Sequence, residues 1–410
     1  MSHRKRRRPV LLNNWEVTEF DFTEDRLLSL AQSGAELGIE LFVMDDGWFG
    51  TRNHDKSGLG DWSVNLKKLP SGLAGFSQKL RNMGMQFGIW IEPEMVNEDS
   101  DLYRAHPDWS IQIPGRSPNL ERCQLVLNLS LAEVREYLFD QISKILDESK
   151  ASYVKWDMNR NLSDIWSKAL PSERQKETAH RYVLGLYDLM ERLTKTYPDI
   201  LWEGCSGGGG RFDAGILYYM PQIWCSDNTD AVERISIQYG TSFGYPICCM
   251  GAHVSDSPNR QTGRSVSFAT RAEVAMAGTF GYELDVRALT EEERHQVRQQ
   301  ISDYKTNYYL IQTGDYYRLT DPAKDKDYAA WQFVSKDGCE SLISVIFLHV
   351  KANPPFLTIK GKGLMEDAVY QIEGDDKIYT GAALMYGGIP LPVLYGEYPN
   401  IHYHIRRICS

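Results

Sequence analysis

Apolar residues follow two habits in this chain up to about residue 315. Some runs are apolar at consecutive positions, such as 39–45 (IELFVMD), 85–92 (MQFGIWIE) and 152–157 (SYVKWD). They predict strands covered on both faces, as a parallel sheet requires. Between them, 23–38, 131–146 and 173–197 place apolar residues every three or four positions, which predicts helices with one buried stripe. Further strands are predicted at 9–15, 200–205 (ILWEGC) and 222–227 (QIWCSD), with fainter ones at 248–253 and 278–284. Eight strand runs separated mostly by helical stretches predict an α/β fold, a closed (β/α)₈ TIM barrel. The competing open, doubly wound sheet lacks its usual GxGxxG turn here.

The habit changes after residue 315. Residues 290–309 (TEEERHQVRQQISDYKTNYY) have the pattern of a long amphipathic helix, and no helix of that quality follows. Instead 331–334, 341–350, 356–360, 368–373 and 401–406 alternate or run apolar between Asp-Gly, Pro-Pro and Gly-rich turns. The predicted organisation is a basic leader or linker at 1–8, a catalytic barrel at 9–318 and a small C-terminal antiparallel β-sandwich at 319–410.

Composition narrows the class. The 410 residues are 42% apolar and 24% charged, ordinary for a globular protein. No apolar run approaches the ~20 residues of a membrane helix. The net charge is −10 even though Arg4, Lys5, Arg6, Arg7 and Arg8 stand together, so the body of the chain is acidic and argues against nucleic acid as a partner. That basic run is expected to be a solvated leader. Only Val10, Leu11 and Leu12 follow it before Asn13 and Asn14, too little for a secretory signal. Seven cysteines without a CxxC fit a reduced, cytoplasmic protein.

In a parallel barrel, chemistry sits at the C-terminal ends of the strands. Those ends carry Asn13, Asn14 and Trp15, then Asp45, Asp46 and Trp48, then Trp90, Glu92 and Glu94. The next three carry Lys155 to Asn159, then Glu203 and Cys205, then Ser226 to Asp230. Acids at five ends, most of them near a tryptophan, suit a sugar: carboxylates take up hydroxyls and indole faces cover the C–H side of the ring. A metal-dependent barrel enzyme is the main rival for an acid-rich rim. The nine histidines include no HExxH, however, and His402 and His404 fall in the β region. The run 205–211 (CSGGGGR) lacks the Lys-Ser/Thr of a phosphate loop. Its glycines are expected to let backbone N–H groups approach a ligand.

Four motifs then stand together in order: 43–48 (VMDDGW), 154–160 (VKWDMNR), 205–213 (CSGGGGRFD) and 224–230 (WCSDNTD). With them the chain resembles glycoside hydrolase family 36, and most closely its bacterial α-galactosidases, across nearly its whole length. The resemblance implies retaining hydrolysis of terminal α-linked galactose in raffinose- and melibiose-type oligosaccharides, without cofactor or metal. It makes Asp157 the nucleophile and Asp227 the acid/base, with Asp230, three residues on, expected to cap or pair in the following helix. Asp45 and Asp46 would take O4 and O6, Lys155 would lie near O3 and O4, and Cys205 with Gly207 would meet O2. Trp90, Arg122 and Asn159 would line the pocket, Trp156 and Met158 would bind substrate beside them, and Trp15 would close the site. A transglycosylase, an α-N-acetylgalactosaminidase and a sugar-binding barrel without activity are the alternatives. Family members carry an N-terminal β-sandwich ahead of the barrel. The sequence is therefore expected to be a short form or a piece of a longer protein, and a homo-oligomer stays open.

Overall fold

A computed structural model describes residue 3 and residues 6–408 of the chain. Arg4 and Lys5 of the basic run lie outside the described residues. The barrel strands are β1 (Leu11–Asn13), β2 (Leu41–Met44), β3 (Gln86–Ile91), β4 (Tyr153–Trp156), β5 (Leu201–Gly204), β6 (Gln222–Trp224), β7 (Met250–Ser255) and β8 (Thr279–Glu283). They close in the order β1-β8-β7-β6-β5-β4-β3-β2. Every predicted run holds or overlaps a strand, though the seventh begins later than its pattern.

Parallel register puts Leu11 beside Leu41 and Tyr153 beside Leu201. These four side chains and Val43 make one buried cluster. Strand side chains alternate between faces, so Lys155 and Asp157 share the face of Tyr153, and Trp156 takes the opposite one. Gly88 of β3 lies against Tyr153, and a Cβ there would come within 3.0 Å of both Val43 and Tyr153. A side chain at this position would push the wall apart.

Local signals place the helices. The pattern at 23–38 is the helix Glu24–Leu37 with both of its caps: the Thr23 side chain accepts the Arg26 N–H, and Gly38 takes a left-handed turn at φ 93°. Thr290 and Glu293 form a reciprocal capping box at the start of the helix Glu291–Thr313.

The C-terminal region contributes β9 (Asp315–Arg318), β10 (Tyr328–Val334), β11 (Glu340–Phe347), β12 (Val369–Ile372), β13 (Ile378–Thr380) and β14 (Asn400–Arg407). They form one antiparallel sheet in the order β9-β10-β11-β14-β12-β13. A separate two-stranded pair joins Thr358–Ile359 to Ile389–Pro390. Ile343, Val345, Tyr370, Leu384 and Ile405 anchor the core of this domain. Two expectations change. β9 joins this sheet although it lies within the segment expected to be barrel; a half-buried four-residue strand (DYYR) carries no pattern to reveal it. The basic run is also not simply solvated: Arg7 pairs with Glu40 at 2.8 Å, and Arg8 is buried, giving its guanidinium to the carbonyls of His3 and Arg6.

No helix among the described residues is long and apolar enough to cross a membrane. By packing, the chain divides into residues 1–227 with 283–288 and residues 228–282 with 289–410. The candidate site falls wholly within the first unit.

Candidate active site

Asp157 follows the last residue of β4 and is buried. Four N–H groups converge on its carboxylate. Oδ2 accepts from Asn159 Nδ2 at 2.8 Å and from Trp90 Nε1 at 3.2 Å, while Oδ1 accepts from the Met158 backbone at 2.8 Å and the Gly207 backbone at 3.4 Å. A carboxylate has only acceptors to offer, so this ring of donors fixes its orientation. Trp90 contributes its indole N–H here; its ring is buried, stacked at 8° on Phe49, and is not an open platform.

Asp45 and Asp46 follow β2. Asp45 Oδ2 accepts from Lys155 Nζ at 2.8 Å and Asn13 Nδ2 at 2.7 Å, and Asn14 holds the Asp45 N–H at 2.8 Å. The two asparagines at the end of β1 thus fasten the carboxylate on β2. Burial disfavours charge on Lys155, but Asp45 and the neighbouring acids outweigh it and raise the ammonium well above the ordinary lysine range. Asp46 is gripped by Arg52, whose Nε and Nη2 reach its two oxygens at 2.6 and 2.7 Å. Such a bidentate fork fixes both position and plane.

The glycine run after β5 packs differently from its sequence expectation. Gly207 (φ 51°) turns its N–H to Asp157, while Gly208 (φ 83°) lies so close to the end of β6 that a Cβ would sit 2.7 Å from the Asp227 nitrogen and the Ser226 Cα. The glycines allow backbone to meet backbone. Cys205 is buried, and its sulfur accepts the Gly208 N–H at 3.4 Å; burial and then the Asp157 charge push its thiol well above the usual range. Asp227 accepts the Trp224 indole N–H at 2.9 Å. It stays open to solvent on one side, but the surrounding walls, and then the Asp157 charge, raise its carboxyl above the ordinary aspartate range.

The remaining candidates scatter. Trp156 is fully buried in the wall, donating to Glu94 at 2.7 Å, as alternation along β4 dictates. Met158 supplies its backbone N–H to Asp157, while its sulfur accepts from Arg211 at 3.0 Å. Arg122 occupies an exposed turn at φ 54° with Asp55 as its ion partner at 3.8 Å, outside the hydrogen bonds just described. Trp15 is half-buried, edge-on to Phe20. Asp230 caps the helix Ala231–Thr241 and pairs with Arg264 at 2.6 Å, the structural role expected of it.

Several polar neighbours of the candidate residues escaped the sequence reading. Arg52 has no pattern to mark it. Glu283, at the end of the faint strand β8, is buried and pushed up to about 8 by burial, with Lys155 opposing. Arg211 ties the glycine run to buried Glu94 at 2.8 Å, and Tyr182 donates to the same carboxylate. Among the described residues, no group of three or more His, Cys, Asp and Glu is arranged to hold a metal ion.

This carboxylate-lined rim of a (β/α)₈ barrel has counterparts. Residues 1–314 match the family model described as Melibiase, and residues 328–405 match the glycosyl hydrolase family 36 C-terminal domain. The chain belongs to the melibiase family, within glycosyl hydrolase family 36. It is 56% identical over 391 residues to the bifunctional alpha-galactosidase/sucrose kinase AgaSK of Mediterraneibacter gnavus, covering 95% of this chain and 41% of that protein. It is 51% identical over 405 residues to alpha-galactosidase AgaA of Geobacillus stearothermophilus, covering 99% and 55%. The crystal structure of AgaA matches with a TM-score of 0.97 at 51% identity, over 99% of this chain and 56% of that one. An AgaA variant in complex with raffinose matches with a TM-score of 0.97 at 50% identity, over the same shares of 99% and 56%. The chain spans about half the length of the curated relatives it matches.

Proposed function

We propose that this chain hydrolyses terminal α-linked galactose with retention of configuration, through Asp157 as nucleophile and Asp227 as acid/base. The observation that carries this reading is the contrast between two neighbouring carboxyls. One is fixed by four N–H donors, and the other is raised by burial and by the charge of the first. Two acids in environments that separate their roles are what double displacement needs. An Asp157 oxygen attacks the anomeric carbon as Asp227 gives its proton to the departing glycosidic oxygen. Asp227 then takes a proton from water, whose oxygen attacks the same carbon and frees Asp157. The substrate class proposed is galacto-oligosaccharides of the raffinose type, supported by the AgaA variants solved with raffinose and with stachyose.

The purified chain should release 4-nitrophenol from 4-nitrophenyl α-galactoside equally well with and without EDTA. No release at all would remove the reading, and release abolished by EDTA would redirect it to metal-assisted chemistry.

The pH profile follows from the raised carboxyl. Asp227 must be protonated for the first step, so kcat/KM should fall as pH rises through its pKa, on an alkaline limb above the ordinary aspartate range. With 4-nitrophenol, which leaves without a proton, Asp227→Ala should lose that limb. A limb unchanged in this variant would mean that another group is the acid.

A further inference from the structure

Glu92 follows the last residue of β3 and is fully buried, yet nothing so far gives it a task. Its Oε1 accepts the backbone N–H of Asn159 at 2.5 Å, and its Oε2 accepts from Gln124 Nε2 at 3.2 Å. Asn159 in turn gives its side-chain amide to Asp157 Oδ2 at 2.8 Å. The charged groups around Glu92 are Asp157, after β4, and Arg52, whose fork is already committed to Asp46. The geometry points to Glu92 as a positioning residue, which fixes the Asn159 peptide so that the Asn159 amide holds the Asp157 carboxylate in its attacking orientation.

This inference rests on Asp157 being the nucleophile and extends that reading one residue outward. Glu92 makes no hydrogen bond to Asp157, so beside the direct repulsion between the two acids its hydrogen-bonded route to that carboxylate runs through Asn159. Burial, and then the Asp157 charge, push its carboxyl up to about 8. Glutamine keeps the shape and one carbonyl acceptor for the Asn159 N–H, and its NH2 can meet Gln124 once that amide turns its oxygen inward. Its amide should therefore replace the acid where alanine cannot.

The test compares E92A, E92Q, N159A and E92A/N159A in the full chain. E92A should lower kcat about 30- to 100-fold with KM within about threefold, the scale expected when a reacting group is held slightly out of line. E92Q should recover most of that loss. E92A/N159A should be little worse than N159A, because the two changes break one chain of contacts. Hydrogen exchange at the Asn159 amide should quicken in E92A and return towards the parent rate in E92Q, a readout that needs no turnover. If E92A does not fold, E92M keeps the volume without the oxygen. A fully additive double variant, a loss confined to KM, or an E92Q indistinguishable from E92A would overturn the inference. A parent chain inactive on the α-galactoside would instead overturn the proposed function, and amide exchange would still decide whether Glu92 holds Asn159.

Discussion

Replacing Asp157 with alanine should lower hydrolysis of 4-nitrophenyl α-galactoside by about 10⁴-fold or more, the scale seen when a group acting in covalent catalysis is removed. Azide should restore part of the activity and yield β-galactosyl azide. The structure gives a reason to expect rescue. Without the carboxylate, Trp90 Nε1, Asn159 Nδ2 and the Met158 and Gly207 N–H groups still converge on the vacated space. Four donors around a cavity of carboxylate size suit a small anion, which would then attack from the nucleophile's side. The configuration of the azide product, read by NMR, is the check. An α-azide from Asp157→Ala, or a β-azide from Asp227→Ala in its place, would reverse the two assignments.

The second large effect concerns the sugar. Galactose and glucose differ only at O4, where Asp45 and Asp46 are proposed to bind. Neither carboxylate can swing to follow an equatorial hydroxyl: Asp46 is forked on Arg52, and Asp45 is tied to Lys155 and Asn13. The α-galactoside should therefore be hydrolysed at least ~100-fold faster than the α-glucoside, taking ~3 kcal/mol for a lost charged hydrogen bond. Asp46→Asn should narrow the ratio, since an amide can accept only one arm of the Arg52 fork. The α-N-acetylgalactosaminide should also be poor if O2 meets Cys205 as proposed, because that residue is buried under the Gly208 backbone. Comparing kcat/KM for the three 4-nitrophenyl glycosides checks this. A glucoside or N-acetyl sugar turned over as fast as the galactoside would overturn the substrate and leave the fold untouched.

The barrel was legible because parallel strands are covered on both faces and so appear as unbroken apolar runs, and because Thr23 and Gly38 mark both ends of a helix. The positions of the candidate acids were legible because each follows an apolar run whose end the pattern marks. The errors arose where information is tertiary. Arg52 lies in a loop that only the folded chain brings to Asp46. Glu283 ends a strand, TFGYE, whose glycine and tyrosine blur its pattern. Trp156 could have been placed correctly, since Lys155 and Asp157 point inward and a strand alternates; the resemblance drew attention to neighbours in the motif and away from that period of two. The exposed turn that carries Arg122 is set by φ 54° and not by any pattern of residues.

The turn at Gly207 and Gly208 has one hand on each member of the acid pair. Its first N–H binds the carboxylate of Asp157, and its second residue rests on the main chain of Asp227 with no space for a methyl group. If the pair acts as proposed, the path between its two members is thus held in part by peptide, which is stiff. On that reading, swapping side chains around the site would leave this spacing in place, and altering it would require rebuilding the turn itself.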